Sequence, residues 1–339
     1  MVTLKQVAEK AGVSIKTVSR IVNGDAAVNV ETRAAVQKHL RQLNYVPNQA
    51  ARQMRSGASS VYGLMTDVVA TTPYSVDIVR GAQSALKDSH QTLLIASSDG
   101  DPARETELWR MFRAHRVAGV IYAAMFHRAH DLRSPAFDNS IVLANCYDSN
   151  ERSNGIVPDD EQGGYEQAHY LLQRGHRRIA LITLIRDIEA TQLRGKGIRR
   201  AFAAAGVSFD ESLDHCGYDG RVARESSHVI ATAKNILTLK DRPTAIICGN
   251  DQTAMQVYAA AAQLGLSIPK DLSVIGFDDL RLISETLYPQ LTTVALPYFE
   301  IGKRAAEMMI QPFKNGQGKS EKFKVPCPLV ERDSCRTLM

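Results

Sequence analysis

The sequence predicts an all-α helix-turn-helix head followed by an α/β body of doubly wound parallel sheets, and three observations lead to this prediction. Short helical patterns stand on each side of a glycine within the first 45 residues. After residue 60, apolar runs rich in β-branched residues alternate with helical stretches. The first 60 residues hold nine Lys and Arg against three acids, a net charge of +6 in a chain whose total is +5.

The uneven placement of this charge has a functional consequence. A basic head on a near-neutral body is typical of a protein that binds a polyanion such as DNA. A solvated basic surface without a partner is the alternative explanation. The arrangement of the helices in the head favours the first explanation.

Three helices are predicted in the head. Thr3 caps the first helix, and Gly12 ends it because a tight turn needs a residue that tolerates positive φ. Ser14 caps the second helix, and the third is capped near Val30–Glu31. The side chains expected to face the small core are Leu4, Val7, Ala8, Ala11, Val18, Ile21, Val22, Ala34, Val36, Leu40 and Leu43. The short Gly-Val-Ser turn between the first two helices is typical of a DNA-reading unit rather than of a generic helical hairpin.

The second helix carries the predicted reading residues, because the N-terminal end of such a helix meets base edges in the major groove. Lys16 is suited to donate to guanine O6 and N7, Ile15 to touch a thymine methyl group, and Arg20 to contact a base or a phosphate. Short polar side chains and the helix N-terminus suit phosphates. The residues expected in this role are Ser14, Thr17, Ser19, Asn23 and Asn29. Thr17 and Ser19 also fit a plain solvent-exposed helix surface.

A further short helix is predicted from Gln49 to Arg55, after Pro47 and before Gly57. Seven residues are too few for a stable isolated helix, so we expect it to form only against its two-fold mate and DNA. Met54 fits either a small packing role or a wedge inserted into a minor-groove step. Arg55 joins Met54 among the predicted DNA contacts.

The segments TLKQVAEKAGVSIKTVSRIVNG and VNVETRAAVQKHLRQLNYVPNQAARQMRSG resemble the head of the lactose-repressor (LacI/GalR) family. The resemblance implies a homodimer or tetramer that binds a palindromic double-stranded DNA operator and responds to a small effector. It also implies that Ile15, Lys16 and Arg20 read bases and that Met54 is the minor-groove wedge. Family members usually have Leu at the wedge position, and Met retains the apolar character with more flexibility.

Seven apolar runs of the body predict buried β-strands. The runs are VYGLM (61–65), TLLIA (92–96), VAGVIYAA (117–124), IVLANC (141–146), RIALITLI (178–185), TAIICGN (244–250) and LSVIGFDD (272–279). Continuous runs of this kind indicate strands covered on both faces, hence parallel sheets with helical crossovers. Ligands of such sheets bind at the carboxyl ends of the strands, so the polar residues after the runs form the candidate site.

The polar side chains at these positions are Asn, Asp and Arg, without a reactive nucleophile. Carboxylates accept sugar O–H groups and a guanidinium donates to two adjacent oxygens, so the set suits recognition of hydroxyls. Two tyrosines suit the apolar face of a ring. The candidates are Asn145, Asp160, Arg194, Asn250, Asp278, Tyr74 and Tyr218. A helix cap is the alternative role for each aspartate, and we assign Asp251 and Asp279 to capping.

The body also resembles the family, in segments such as DDEQGGYEQAHYLLQRGHRRIALI and LRGKGIRRAF. The resemblance implies two periplasmic-binding-protein-like lobes with an effector in the cleft, and Arg194, Asn250 and Asp278 at the core of that site. Cys146 lies at its edge, where purine-responsive relatives have Trp. No second aromatic residue follows Tyr74, as it does in those relatives. Both departures favour a sugar-like effector over a purine.

The predicted domain boundaries follow from the same resemblance. The domains are a head (1–47), a hinge helix and linker (48–60) and an effector-binding and dimerisation domain (61–339). The lobes of that domain are an N-lobe of about 61–160 and 289–322 and a C-lobe of about 161–288 and 323–339.

The expected function is that of a cytoplasmic transcriptional regulator, a repressor and not an enzyme, whose operator affinity changes when a sugar binds. A solute-binding protein for transport is one alternative, but the first residues lack an export signal. A sugar-modifying enzyme is another, but adjacent aspartates in sequence do not establish a catalytic pair. Whether the effector is an inducer or a co-repressor is open, because the sign of the coupling depends on differential affinities.

No cofactor, metal or membrane partner is expected. The nine histidines form no H-x-x-x-H pair, and the five scattered cysteines fit reduced thiols. No run approaches the 18 uncharged apolar residues of a membrane span.

Overall fold

The structure, a computed structural model of the 339-residue chain, describes residues 2–22, 25, 27–45, 59–68, 76–87, 91–132, 141–221, 224–310 and 320–338. Its internal contacts divide the chain into two compact units, Met1–Ser59 and Ser60–Met339. The first unit contains the head and the second is the body. None of the helices in the described ranges is long and apolar enough to cross a membrane.

The described part of the head contains three helices in the predicted places, Leu4–Ala11, Ile15–Val22 and Val30–Gln42. The side chain of Thr3 accepts a hydrogen bond from the backbone of Gln6, and the Gln6 side chain accepts from the backbone of Thr3, which is a complete capping box. Gly12 ends the first helix with φ +65°. Ser14 Oγ accepts from the backbone N–H of Thr17 at 3.1 Å. The predictions for these caps and for Gly12 are confirmed.

The small core of the head is built by Val7, Val18 and Val36, which are fully buried, with Ala8 and Ile21 beside them. The remaining residues predicted to face the core contact it while partly buried, except one. Ala34 is exposed, so its prediction was wrong. The third helix is capped by Asn29, one residue before the predicted cap position near Val30–Glu31, because the Asn29 side chain accepts from the N–H of Glu31 at 2.9 Å.

The body contains two six-stranded sheets. The first has the strand order Lys322–Val325, Asn154–Pro158, Ile141–Ala144, Val120–Ala123, Val61–Thr66 and Thr92–Ser97. The second has the order Leu329–Val330, Thr292–Ala295, Ser273–Asp278, Ala245–Cys248, Ile179–Thr183 and Asp214–Cys216. All pairs are parallel except that of Leu329–Val330 with its neighbour. The seven predicted strands and the parallel sheets are therefore confirmed.

Helices cover both sheets and build the buried core with them. The first lobe, meaning the first sheet and its helices, contains Val76–Lys87, Pro102–Ala114 and Tyr298–Ile310. The second lobe, defined in the same way, contains Asp160–Gln173, Glu189–Ala204, Val229–Leu237 and Asp251–Gln263. The remaining elements are helix Arg281–Ser284, the turn Glu211–Leu213, and two small sheets made by Ala129–His130 with Tyr147–Asp148 and by Tyr218–Arg221 with Arg224–Ser227.

The chain passes between the lobes three times, and the strand pairing corrects two predicted boundaries. Thr292–Ala295 was assigned to the N-lobe, but it pairs in parallel with Ser273–Asp278 of the second sheet. Most of Lys322–Val325 was assigned to the C-lobe, but it pairs in parallel with Asn154–Pro158 of the first sheet. The passages therefore lie after Pro158, between Ala295 and Tyr298, and after Val325. Lys322–Val325 forms an edge of the first sheet, and Thr292–Ala295 lies between Ser273–Asp278 and the edge strand Leu329–Val330 of the second sheet.

Candidate DNA-reading helix and effector cleft

The second helix of the head presents the predicted base readers to solvent. Ile15 is 49% exposed although it is apolar, and Lys16 is exposed beside it. Both side chains are therefore accessible to a partner at the first turn of the helix. Arg20 is also exposed, and its Nε lies 3.3 Å from Oδ2 of Asp25. This ion pair holds the guanidinium near the end of the helix.

The residues of the head predicted to contact phosphates differ in their hydrogen bonds and in their burial. Ser14 Oγ caps the helix and lies 2.9 Å from the hydroxyl of Thr17. Ser19 is partly buried. The carbonyl oxygen of the Asn29 side chain caps the third helix, which leaves its amide as the group suited to donate to a phosphate. The predicted contacts Asn23, Met54 and Arg55 lie outside the described residues.

The body contains a cavity of about 130 Å³, on the order of ten times the space that one water needs. Strands of both sheets end at this cavity, as expected for ligand sites of parallel sheets. Its lining consists of Met125, Phe126, His127, Asn145, Pro158, Asp160, Leu184, Ile185, Ile188, Ala190, Arg194, Tyr218, Asn250, Gln252, Asp278, Leu296 and Tyr298. Six residues selected from the sequence are thus brought together: Asn145, Asp160, Arg194, Tyr218, Asn250 and Asp278. Tyr74 lies outside the described residues.

A buried polar chain runs through one wall of the cavity. Asp160 Oδ1 accepts from Arg194 Nε at 2.8 Å, and Asp160 Oδ2 lies 2.7 Å from Nδ1 of His127. Arg194 also donates through Nη1 to the carbonyl of Gly249 at 2.7 Å, and its guanidinium lies 3.5 Å from the ring centre of Phe277. Burial favours the neutral acid, but Arg194 and the His127 hydrogen bond outweigh it and lower the pKa of Asp160.

Asp278 is placed at the end of its strand by an unusual backbone. Its φ is +115°, a conformation that side-chain-bearing residues rarely adopt, and its carboxylate lies 4.0 Å from Nη1 of Arg194. Burial raises the pKa of Asp278 to about 7, and the nearby positive charge of Arg194 only partly offsets this. A strained, partly buried carboxyl group in a cleft is typical of a functional site.

Two asparagines and a tyrosine also contribute polar groups to the lining. Asn145 has φ +58° and donates to the carbonyls of Ala124 and Met125, both at 2.9 Å. Asn250 caps helix Asp251–Gln263 by accepting from the N–H of Thr253 at 2.8 Å. Tyr218 lines the cavity and its hydroxyl lies 3.0 Å from that of Thr253. The asparagine side chains are therefore held in fixed orientations by the backbone.

The structure contradicts the assignment of Cys146 to the effector site. Its side chain is fully buried, its Sγ lies 3.5 Å from the carbonyl of Ala144, and it packs with Trp109 and Phe112 in the core of the first lobe. Burial raises the pKa of this thiol well above its ordinary value. Asn145 follows the strand with a left-handed backbone of φ +58°, which ends the alternation of side chains along the strand. Asn145 therefore lines the cavity, whereas Cys146 packs in the same core cluster as Leu143.

The assignment of Asp251 and Asp279 to helix caps was also wrong. Asn250 provides the cap, whereas Asp251 is fully buried and accepts from Thr293 Oγ1 at 2.6 Å and from the N–H of Leu280 at 2.7 Å. Asp279 accepts from Ser284 Oγ at 2.9 Å and from Arg332 at 2.7 Å. Both carboxyl groups hydrogen-bond the loop after Asp278 to the rest of the second lobe, and they thereby help to hold Asp278 in place at the cavity.

Sequence reasoning missed several lining residues. His127 and Phe126 follow strand Val120–Ala123, and the rule that ligands meet strand ends would have found them if loops a few residues longer had been considered. Tyr298 follows strand Thr292–Ala295, whose run was not among those predicted. The apolar members Leu184, Ile185 and Ile188 had no signal that distinguishes them from core residues.

Two family models match the chain. Residues 3–48 match the model described as "Bacterial regulatory proteins, lacI family", and residues 168–335 match a periplasmic binding protein-like domain. The first match covers the three helices of the head, and the second covers most of the second lobe with Arg194, Asn250 and Asp278.

The chain is similar to curated repressors over nearly its full length and to a solved regulator over most of its length. It is 33% identical to the sucrose operon repressor of Escherichia coli, over 98% of this chain and 100% of that protein. It is 30% identical to the HTH-type transcriptional repressor PurR of Vibrio cholerae serotype O1 (strain M66-2), over 100% of this chain and 99% of the other. The crystal structure of a LacI-family regulator from Rhizobium etli shares 41% identity with a TM-score of 0.77, over 82% and 100% of the two chains. The chain therefore belongs to the lacI family of bacterial regulatory proteins, which are DNA-binding transcription regulators and not enzymes.

Proposed function

We propose that this protein is a repressor whose affinity for a palindromic operator is switched by a sugar bound in the cleft between its two lobes. The observation that carries the proposal is the convergence of Asn145, Arg194, Asn250 and Asp278 on one cavity at the strand ends of both sheets. Carboxylate, amide and guanidinium groups in fixed orientations recognise hydroxyls well. The sucrose operon repressor among the similar proteins supports the sugar class.

The effector would act by bridging the lobes. Asn145 follows a strand of the first sheet, whereas Arg194 and Asp278 belong to the second lobe. A ligand that contacts both sides favours one relative placement of the lobes by as much as it binds that placement better. Coupling of this kind is typically about 1–3 kcal/mol, roughly 5–150-fold in operator affinity.

A homodimer fits the DNA-binding part of the proposal. Helix-turn-helix dimers place two recognition helices in successive major grooves, so the operator mirrors the two-fold symmetry of the protein. A regulator of this kind acts on the bacterial chromosome, and the proposal therefore places the protein in the cytoplasm. Assembly of two dimers into a tetramer is compatible with the same operator reading.

The decisive experiment recovers genomic duplexes bound by the full chain and titrates them by fluorescence anisotropy with and without sucrose, other sugars and purine bases. We expect one sugar to change the operator affinity 5-fold or more. Asp278→Asn should abolish this response while operator affinity without sugar stays within twofold. The matched control is Asp241→Asn, which changes a carboxylate whose side chain is 86% exposed and does not line the cavity.

Each other outcome contradicts a defined part of the proposal. A change of operator affinity with a purine base and with none of the sugars would show that the effector is a purine and not a sugar. Operator binding that no small molecule changes would contradict the switch. Failure to retain any duplex would contradict the DNA-binding function itself.

A further inference from the structure

The charge of the effector cleft is nearly balanced. Arg194 is the one residue with a permanent positive charge among the described residues that line the cavity. The two lining carboxyl groups, Asp160 and Asp278, both lie within 4.0 Å of its guanidinium. The described lining of the cleft therefore has no surplus of fixed positive charge.

The charge of Arg194 is engaged mainly by Asp160. The ion pair is 2.8 Å long and fully buried, so water screens it little. The Nη1 of Arg194 is occupied by the carbonyl of Gly249, and one face of the guanidinium covers Phe277. Nδ1 of His127 lies 2.7 Å from the other oxygen of Asp160, and this contact keeps the carboxylate oriented towards Arg194.

We propose that Asp160 is a specificity-determining residue which neutralises Arg194 and thereby makes the cleft select neutral, hydroxyl-rich ligands over phosphorylated or carboxylated ones. This inference rests on the proposed function, because it concerns the ligand of the same cavity. It differs from the role expected from the sequence, in which Asp160 contacts the effector. Both oxygens of Asp160 are occupied by protein groups, so its main effect on a ligand is electrostatic.

The physical reason is the cost of placing a second anion here. A phosphate binds well where several Arg, Lys or backbone N–H groups converge on it, and Arg194 is already paired. The carboxyl group of Asp278, on the same side of the cavity, would repel an anionic ligand when ionised. A neutral hydroxyl has no such penalty, since it can donate to a carboxylate and accept from a guanidinium.

The test compares matched pairs of probes on the full-length chain by isothermal titration calorimetry. The pairs are sucrose with sucrose 6-phosphate, glucose with glucose 6-phosphate, and adenosine with adenosine monophosphate. In each pair whose neutral probe binds, we expect that probe to bind at least tenfold more tightly than its phosphorylated partner. Asp160→Asn, which removes the charge and keeps the shape, should reduce this ratio at least tenfold.

The control is Glu161→Gln, which removes a carboxylate from the next residue. Glu161 pairs with Lys196 and Arg200 and does not line the cavity, so the selectivity ratio should stay within twofold. Thermal melting and operator binding verify that each variant is folded. If Asp160→Asn does not fold, His127→Gln, which loosens the hold on Asp160, should reduce the ratio in the same direction.

Two results would overturn the inference in different ways. Tighter binding of a phosphorylated probe than of its neutral partner by the unaltered protein would contradict the selectivity and leave the proposed sugar switch intact. An unchanged ratio in a folded Asp160→Asn protein would remove Asp160 as its cause. Binding of no probe in any pair would contradict the proposed effector class together with this inference.

Discussion

The backbone of Gly197 lies directly against that of Glu161, since a Cβ added at Gly197 would be 1.8 Å from the Glu161 carbonyl oxygen. The contact is reciprocal one turn away, where a Cβ at Gly164 would lie 2.2 Å from the carbonyl oxygen of Arg194. Helices Asp160–Gln173 and Glu189–Ala204 therefore pack with their backbones touching. This close packing sets the distance between Asp160, at the start of one helix, and Arg194, within the other.

Gly197→Ala should separate these helices and disturb the ion pair at the cleft. Overpacking of this kind typically destabilises a protein by about 1–3 kcal/mol, and more where only backbone stands in the way. We expect a lower free energy of unfolding in urea and a weaker response to the effector. Gly195→Ala is the control, because the nearest atom to its added Cβ is the flexible end of Arg199 at 3.3 Å. Equal losses in the two variants would contradict a special role of the glycine contact.

Lys16→Ala should relax the base preference at one operator position, at a cost of about 1–3 kcal/mol for the preferred base. Lys16 is exposed on the recognition helix, so the loss reflects DNA contact rather than folding. Affinities for a panel of single-base operator variants measure this preference. Lys38→Ala, exposed on the third helix, should at most weaken all operators uniformly. A uniform loss for Lys16→Ala as well would exclude base reading by this residue.

Asp278→Asn should stabilise the effector-free protein at neutral and alkaline pH. The pKa of Asp278 is raised to about 7 by burial, against an ordinary value near 3.9 for the unfolded chain. Between these values the folded state holds a proton that the unfolded state has released, so stability is lost as pH rises towards 7. An asparagine does not ionise and avoids this loss.

The measurement for this prediction is urea unfolding of both proteins between pH 5 and pH 8. The stability difference in favour of Asp278→Asn should grow by about 2–3 kcal/mol over the range. A difference that does not change with pH would contradict the raised pKa. The same variant should lose its effector response. The carboxyl group of Asp278 would then lower the stability of the effector-free protein while it contributes to effector binding.

Cys146→Ala should leave effector affinity within twofold, because the side chain lies in the core of the first lobe and not in the cleft. Removing the buried sulfur leaves a small cavity, for which we expect a destabilisation of about 1–2 kcal/mol. Calorimetric titration and urea unfolding measure the two quantities. A tenfold loss of effector affinity with normal stability would restore Cys146 to the site.

Much of the fold could be predicted because its signals are local. Thr3, Gly12 and Ser14 end or begin helices through contacts within four residues, and the seven apolar runs mark strands by their own composition. The rule that ligands meet the ends of parallel strands was enough to select six of the residues that line the cavity. Cys146 could not be excluded in this way, because the left-handed backbone of Asn145 interrupts the alternation of side chains just after the strand.

The sequence by itself determined the order of head and body, the helices of the head, the parallel strands and the polar residues at their ends. Only the tertiary structure decided that Thr292–Ala295 belongs to the second lobe and Lys322–Val325 to the first, the reverse of the prediction. It alone also decided that the side chains of His127, Asp160 and Arg194 are joined by buried hydrogen bonds. Capping and periodicity depend on neighbours along the chain. Strand partners and the approach of two helices depend on hydrogen bonds and packing between residues distant in sequence, and no local pattern encodes which of these contacts forms.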